Sequence, residues 1–192
     1  MRQNILPLLL SGCILISTAY CQNNGNSSKP TGNNNQIDIG VDLSFGDFAK
    51  THPFGVGIQY DWSKGRYGRM DQKPANPVGF TANAGYCYYF GKKADIGVYP
   101  YNTTYTYDGL SIIHVYGGLI DNPCNRGNIG LTAGPLYGTS GSSHDWGFGV
   151  QLAGSYFVSN QVAVRPDLNY YKLGSNKGYW AAGISIGLEF HY

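Results

Sequence analysis

The last fourteen residues, YWAAGISIGLEFHY, alternate without a break between apolar and small or polar side chains. One face carries Trp180, Ala182, Ile184, Ile186, Leu188, Phe190 and Tyr192, and the other Tyr179, Ala181, Gly183, Ser185, Gly187, Glu189 and His191. A repeat of two marks a β-strand, because successive side chains of extended backbone point to opposite faces. Strands of globular proteins average about 5–6 residues, whereas crossing a bilayer takes about 9–11 tilted residues. This strand is long enough to cross.

The same alternation recurs along the chain from Gln36 onward. Ile37, Ile39, Val41, Leu43 and Phe45 oppose Asp38, Gly40, Asp42 and Ser44. Phe54, Val56, Ile58, Tyr60 and Trp62 oppose Gly55, Gly57, Gln59 and Asp61. Comparable faces run from Val78, from Ile129, from Trp146 and from Val162, while 110–120 is partly apolar on both faces and leaves the direction of His114 open. Eight strands are predicted, an even number that puts both termini on one side. Short inner turns are expected at 121–127 and 159–161, and outer loops at 46–53, 91–109, 139–145 and 174–178. Two points leave the count open to ten: 63–77 is long for an inner turn, and Tyr99, Tyr101, Tyr105 and Tyr107 alternate within 94–107.

Composition narrows the class. Of 192 residues 28 are Gly and 17 Tyr, and only 12% are charged. Coiled coils and disordered tails need far more charge, and glycine at this frequency would dismantle helices at about 0.5–1 kcal/mol each. A net charge of +2 gives no basic patch for nucleic acid. The chain reads as all-β.

The N-terminus is an address. Arg2, an apolar run from Ile5 to Ile16 and the small residues Ser17, Thr18 and Ala19 have the layout of a secretory signal peptide. Cleavage after Cys21 is preferred, giving a signal peptide over 1–21. Leu10-Ser11-Gly12-Cys13 resembles a lipobox and makes lipidation at Cys13 the rival. Residues 22–35 are a flexible lead-in rich in Asn, Gly and Ser, and the barrel is expected over 36–192.

The non-apolar face, built of Gly, Ser, Asn, Gln and Thr with scattered acids, is a poor solvent surface but a good filling for a narrow lumen. Phe45, Phe54, Trp62, Phe90, Trp146, Trp180, Phe190 and Tyr192 stand near strand ends, as the aromatic girdles of a membrane barrel do. An exported soluble β-barrel binding an apolar ligand is the competing architecture. The runs GYCYYFGKKAD (85–95), GSYFVSNQVAVRPDLNYY (154–171) and GISIGLEFHY resemble small outer-membrane β-barrel proteins of the Bacteroidetes type, similar in architecture to the OmpA- and OmpX-like eight-stranded barrels. The resemblance covers about 36–192. It implies an antiparallel up-and-down transmembrane barrel in the cell outer membrane, in contact with outer-membrane lipid and lipopolysaccharide. It also implies that Phe190 and Tyr192 serve as the terminal signal to the barrel-insertion machinery.

Little chemistry is written in the chain. His144 and Asp145 stand beside Ser140, Ser142 and Ser143 in a predicted outer loop. Triad logic could be drawn from them, but a flexible polar loop is the stronger explanation. No P-loop, dinucleotide, zinc or EF-hand spacing occurs, so no catalytic residue, metal or cofactor is assigned. The informative polar set is the inward charge network of Asp38, Asp42, Asp61, Arg165, Asp167 and Glu189. A lone charge in a narrow lumen costs several kcal/mol, so pairing is expected. With the last hairpin turning about residue 176, Arg165 is expected to bridge Glu189 with Asp38 nearby. Cys87 and Cys124, at opposite ends of the barrel, should stay unbridged.

The function expected is a non-enzymatic, monomeric outer-membrane barrel with a plugged lumen, touching a partner of unknown identity through its outer loops. The alternatives are a small porin-like pore or ligand carrier and an outer-membrane lipid-modifying enzyme.

Overall fold

The computed structural model describes residues 33–64, 78–96, 103–124, 127–159, 161–174 and 178–191. Among these residues ten strands and one short helix follow one another. They are β1 (Asn33–Phe45), α1 (Phe48–Thr51), β2 (Phe54–Lys64), β3 (Val78–Phe90), β4 (Lys93–Ile96), β5 (Thr103–Thr106), β6 (Leu110–Cys124), β7 (Gly127–Ser140), β8 (Ser143–Phe157), β9 (Val162–Leu173) and β10 (Tyr179–His191).

Eight of the strands close into one barrel in the order β1-β10-β9-β8-β7-β6-β3-β2. Every neighbouring pair is antiparallel, including the closing pair of β1 with β10, which runs from Asn34↔His191 to Phe45↔Trp180. Closure leaves no unpaired edge. β4 and β5 pair only with each other and form a separate hairpin outside the barrel. The alternation within 94–107 therefore marks real strands, but not barrel strands, and the count is eight.

The faces sort as the alternation requires. Ile39 is 62% exposed, Phe80 68% and Ile186 60%, whereas Asp38 is 3% and Arg165 7% exposed. Most large apolar side chains thus stand outside and charged ones such as Asp38 and Arg165 inside, the reverse of a soluble barrel, while Ile112, Tyr116 and Leu136 are apolar residues buried within. His114, whose direction the sequence left open, points inward and is buried. No helix among the described residues is long and apolar enough to cross a membrane, which says nothing of strands.

Some boundaries differ from those expected. β1 begins at Asn33 rather than 36, since its first residue still pairs with Lys64. β6 runs on to Cys124, which pairs with Gly127, so the 121–127 connection is tighter than expected. The predicted outer loop 139–145 is a two-residue hairpin, with Ser140 paired to Ser143. Gly141 takes φ 57 while no described non-glycine residue has positive φ. Glycine alone at the first central position suits a type II′ turn, whose twist matches the flanking strands. The 46–53 connection holds α1, which buries Phe48. Residues 1–32 and 65–77, and with them the signal peptide, Cys13, most of the lead-in and most of the 63–77 segment, lie outside the described residues.

Cys87 is a buried free thiol. It sits opposite Ile112 on β6, and Cys124 comes twelve residues further along that strand. At about 3.3 Å per residue this is roughly 40 Å, far beyond disulfide reach.

Candidate functional site: the lumen network and the outer mouth

The inward positions of β10 are Ala181, Gly183, Ser185 and Gly187, the smallest run on the inner wall. That run lets the Arg165 side chain, opposite Ser185 on β9, pass over β10 to reach the strands beyond. Its Nη1 donates to Asp38 Oδ2 at 2.7 Å and to Asp61 Oδ2. Gly187 leaves room for this approach, because a Cβ there would press on Gln36 Nε2 and Asp38 Oδ1 and oblige those side-chain ends to shift.

From this ion-pair triad a single network spreads around the barrel. Gln36 Nε2 donates to Asp38 at 2.5 Å, and Gln59 Nε2 to Asp61 at 2.9 Å. Arg165 Nη2 donates to Gln151 Oε1 at 3.2 Å, which also accepts from Asn83 at 3.0 Å. Asn83 reaches Thr132 Oγ1 at 3.2 Å, and His114 Nε2 lies 3.1 Å from Gln59 Oε1. Ser185 Oγ closes the ring on the Arg165 carbonyl at 3.3 Å. All eight barrel strands contribute a residue. The voids beside Arg165 measure about 30 and 20 Å³, each room for about one water molecule.

Further along the axis Asp167 accepts from Asn169 Nδ2 at 2.6 Å, and Asp42 accepts from the Tyr89 hydroxyl at 2.9 Å. Tyr89 and Tyr171 stand edge to face, with centroids 6.1 Å apart. Phe48 of α1 lies on top, 5.1 Å from Tyr89 and 4.7 Å from Tyr179. The lumen therefore passes from a charged middle to an aromatic layer beneath α1.

The structure brings Asp38, Asp61 and Arg165 together, and sets Asp42 and Asp167 beyond them. Glu189 is buried but is not an ion-pair partner of Arg165, contrary to expectation. The register is two residues off that expectation: Arg165 faces Ser185 rather than Gly187, and its guanidinium crosses β10 to Asp38 and Asp61 on β1 and β2. The Glu189 backbone N–H donates to the Gln161 carbonyl, at the inner end. A slip of two residues preserves every face but changes every partner. Of the terminal pair, the Phe190 backbone pairs with Asn35. Its side chain and all of Tyr192 lie outside the described residues.

The neutral members Gln59, Asn83, His114, Thr132 and Gln151 were not singled out from sequence. Their signal was available: each is a polar side chain on an inward position, and buried amides and imidazoles need partners.

At the opposite end from the termini, α1 and the ends of β6 to β10 surround a cavity of about 190 Å³. Phe48 and Tyr179 form an aromatic wall, Leu110 and Leu173 a floor, and Ser140, Ser143, His144 and Asp145 a rim. His52 is held in place: Nε2–H donates to the Asp108 carbonyl at 2.9 Å, and Nδ1 lies 2.9 Å from the Thr51 hydroxyl. Partial burial holds its imidazole below the ordinary histidine range, opposed by the bond to Asp108. The rim holds the residues from which triad logic could be drawn. His144 makes no hydrogen bond with Ser140, Ser142, Ser143 or Asp145, and its ring lies 6.4 Å from that of Tyr137. No Ser–His–Asp relay is assembled among the described residues.

This architecture is that of the small outer-membrane β-barrels. The outer-membrane protein Ail of Yersinia pestis, attachment invasion locus protein, superposes with a TM-score of 0.56 at 10% identity, covering 84% of this chain and 100% of Ail. A second Ail structure, in complex with the heparin analogue sucrose octasulfate, gives 0.53 at 11% identity, with 83% and 99% covered. The outer membrane protein OprG from Pseudomonas aeruginosa gives 0.49 at 13% identity, with 88% and 100% covered. No protein-family model and no curated protein sequence matches the chain.

Proposed function

We propose that this chain is a non-enzymatic integral barrel of the cell outer membrane, with a plugged lumen, that acts as a contact surface at its outer mouth. One observation carries the reading: a band of exposed apolar side chains surrounds the barrel, while a polar network drawn from all eight strands crosses the inside. An exposed apolar band of this extent has no place in water and fits a bilayer's hydrocarbon core. The fold shared with Ail supports it. In this reading residues 1–21 direct export and are removed. Phe190 and Tyr192 present the last strand to the insertion machinery, and the mature barrel works as a monomer among outer-membrane lipid and lipopolysaccharide. Whatever the outer end binds, the lumen takes no part in it.

The test is membrane fractionation followed by detergent gels of heated and unheated samples. The protein is expected in the outer-membrane fraction, with a faster unheated band that shifts on boiling. Purified barrel in planar bilayers should pass no steady current. Recovery in the soluble fraction without a shift sinks the membrane reading, and a stable conductance replaces the plugged lumen with a pore.

A further inference from the structure

The outer-mouth cavity has a chemistry of its own, and we propose that it binds one neutral pyranose sugar unit. This deepens the contact-surface reading and rests on it. Size comes first. An apolar cavity of about 150 Å³ admits one benzene, so about 190 Å³ seats a single six-membered ring. The walls come next. Phe48 and Tyr179 stand 4.7 Å apart with planes inclined by 37°, and Leu110 and Leu173 close the floor. A pyranose is amphipathic in the matching sense, with C–H groups on its faces and hydroxyls around its edge, and aromatic faces favour the former.

The rim decides the ligand's polarity. The side chains of Ser143, His144 and Asp145 line the cavity, are exposed, and make no hydrogen bond among the described residues. Together they offer hydroxyl and imidazole groups that donate or accept, and a carboxylate that only accepts. Ligand hydroxyls satisfy all three. Among the described residues no Lys or Arg lines the cavity, so a sulfated, phosphorylated or carboxylated ligand would meet Asp145 there without a counter-charge from them. His52 is occupied by Asp108 and Thr51, which leaves it a fixed wall beside Phe48, 5.2 Å between centroids. The site is built before the ligand arrives, and such preorganisation lowers the cost of binding.

Binding is tested on the full barrel in detergent micelles by saturation-transfer NMR and titration with the methyl glycosides of glucose, galactose and N-acetylglucosamine. At least one should receive saturation, strongest at the protons of its C–H face, with Kd on the order of 1 mM for so small a ligand. Asp145→Asn should weaken that binding about tenfold and Ser143→Ala less, both leaving the heat-shifted gel band intact. No transfer to any of the three, equal affinity in Asp145→Asn, or tighter binding of choline or of a sulfated sugar overturns the proposal. If the band and outer-membrane residence persist when sugar binding fails, this inference alone falls. If they are lost in the unmutated protein, the barrel reading falls and takes the sugar site with it.

Discussion

The middle of the lumen and its outer mouth are built from the same kinds of polar residue, yet treat them in opposite ways. In the middle, Arg165, Asp38, Asp61, Gln59 and Gln151 take their partners from one another. At the mouth, Ser143, His144 and Asp145 stand exposed around an aromatic-walled cavity. The difference follows from water. A buried polar group without a partner costs about 1–3 kcal/mol, so the middle must satisfy itself, whereas the mouth can leave its groups to solvent or to a ligand. The middle is structural. The mouth is where specificity can reside.

The sharpest way to break this contrast is to remove a charge from each region. Arg165→Ala strands two buried carboxylates, a loss of about 3–5 kcal/mol when one side of a buried pair is deleted. Asp145→Asn alters an exposed rim group and should be close to neutral for stability. The measurement is the temperature at which the folded gel band disappears: a clear drop for the first variant and none for the second. Equal midpoints would mean that water, not protein, solvates Arg165.

A smaller effect is expected at Gln151, the hub joining Arg165, Asn83 and Gln59. Gln151→Leu keeps the bulk but leaves those donors short of an acceptor, at about 1–3 kcal/mol. Ser143→Ala at the mouth is its exposed counterpart and should not move the midpoint. If both variants behave as wild type, the network around the lumen carries no stability of its own.

What could be read from the residues, and what could not, divides along a physical line. Inside and outside were legible because extended backbone flips every residue, so Ile39 out implies Asp38 in. The partner of Arg165 was not, since register depends on how each connection is closed, and two-residue slips are invisible to the alternation. Placing Arg165 opposite Gly187 instead of Ser185 is that error. β10's small residues nevertheless carried a clue, because an inner wall without side chains lets a long one cross it. The outer cavity was illegible for a different reason. Phe48, Leu110, Asp145 and Tyr179 meet only after closure brings four separate connections to one end, and no spacing in sequence encodes that.

The mildest test concerns pH at the mouth. His52 is partly buried against Phe48 and bonded to the Asp108 carbonyl, and burial lowers its proton affinity in the folded barrel. A histidine whose folded value is depressed contributes stability that is complete above its unfolded value, near 6.5. As pH falls below that, the unfolded chain takes up the proton first, and the contribution is lost by the time the folded imidazole is charged. The site is half open to water, so the loss should be small and local, loosening α1 rather than the barrel. The His52 ring resonance followed by NMR should titrate with a midpoint below that of free histidine, and His52→Gln should abolish the acid sensitivity of amide exchange in α1. A midpoint at or above the free value would show that the mouth is solvated, and the fixed wall on which the sugar site depends would be lost with it.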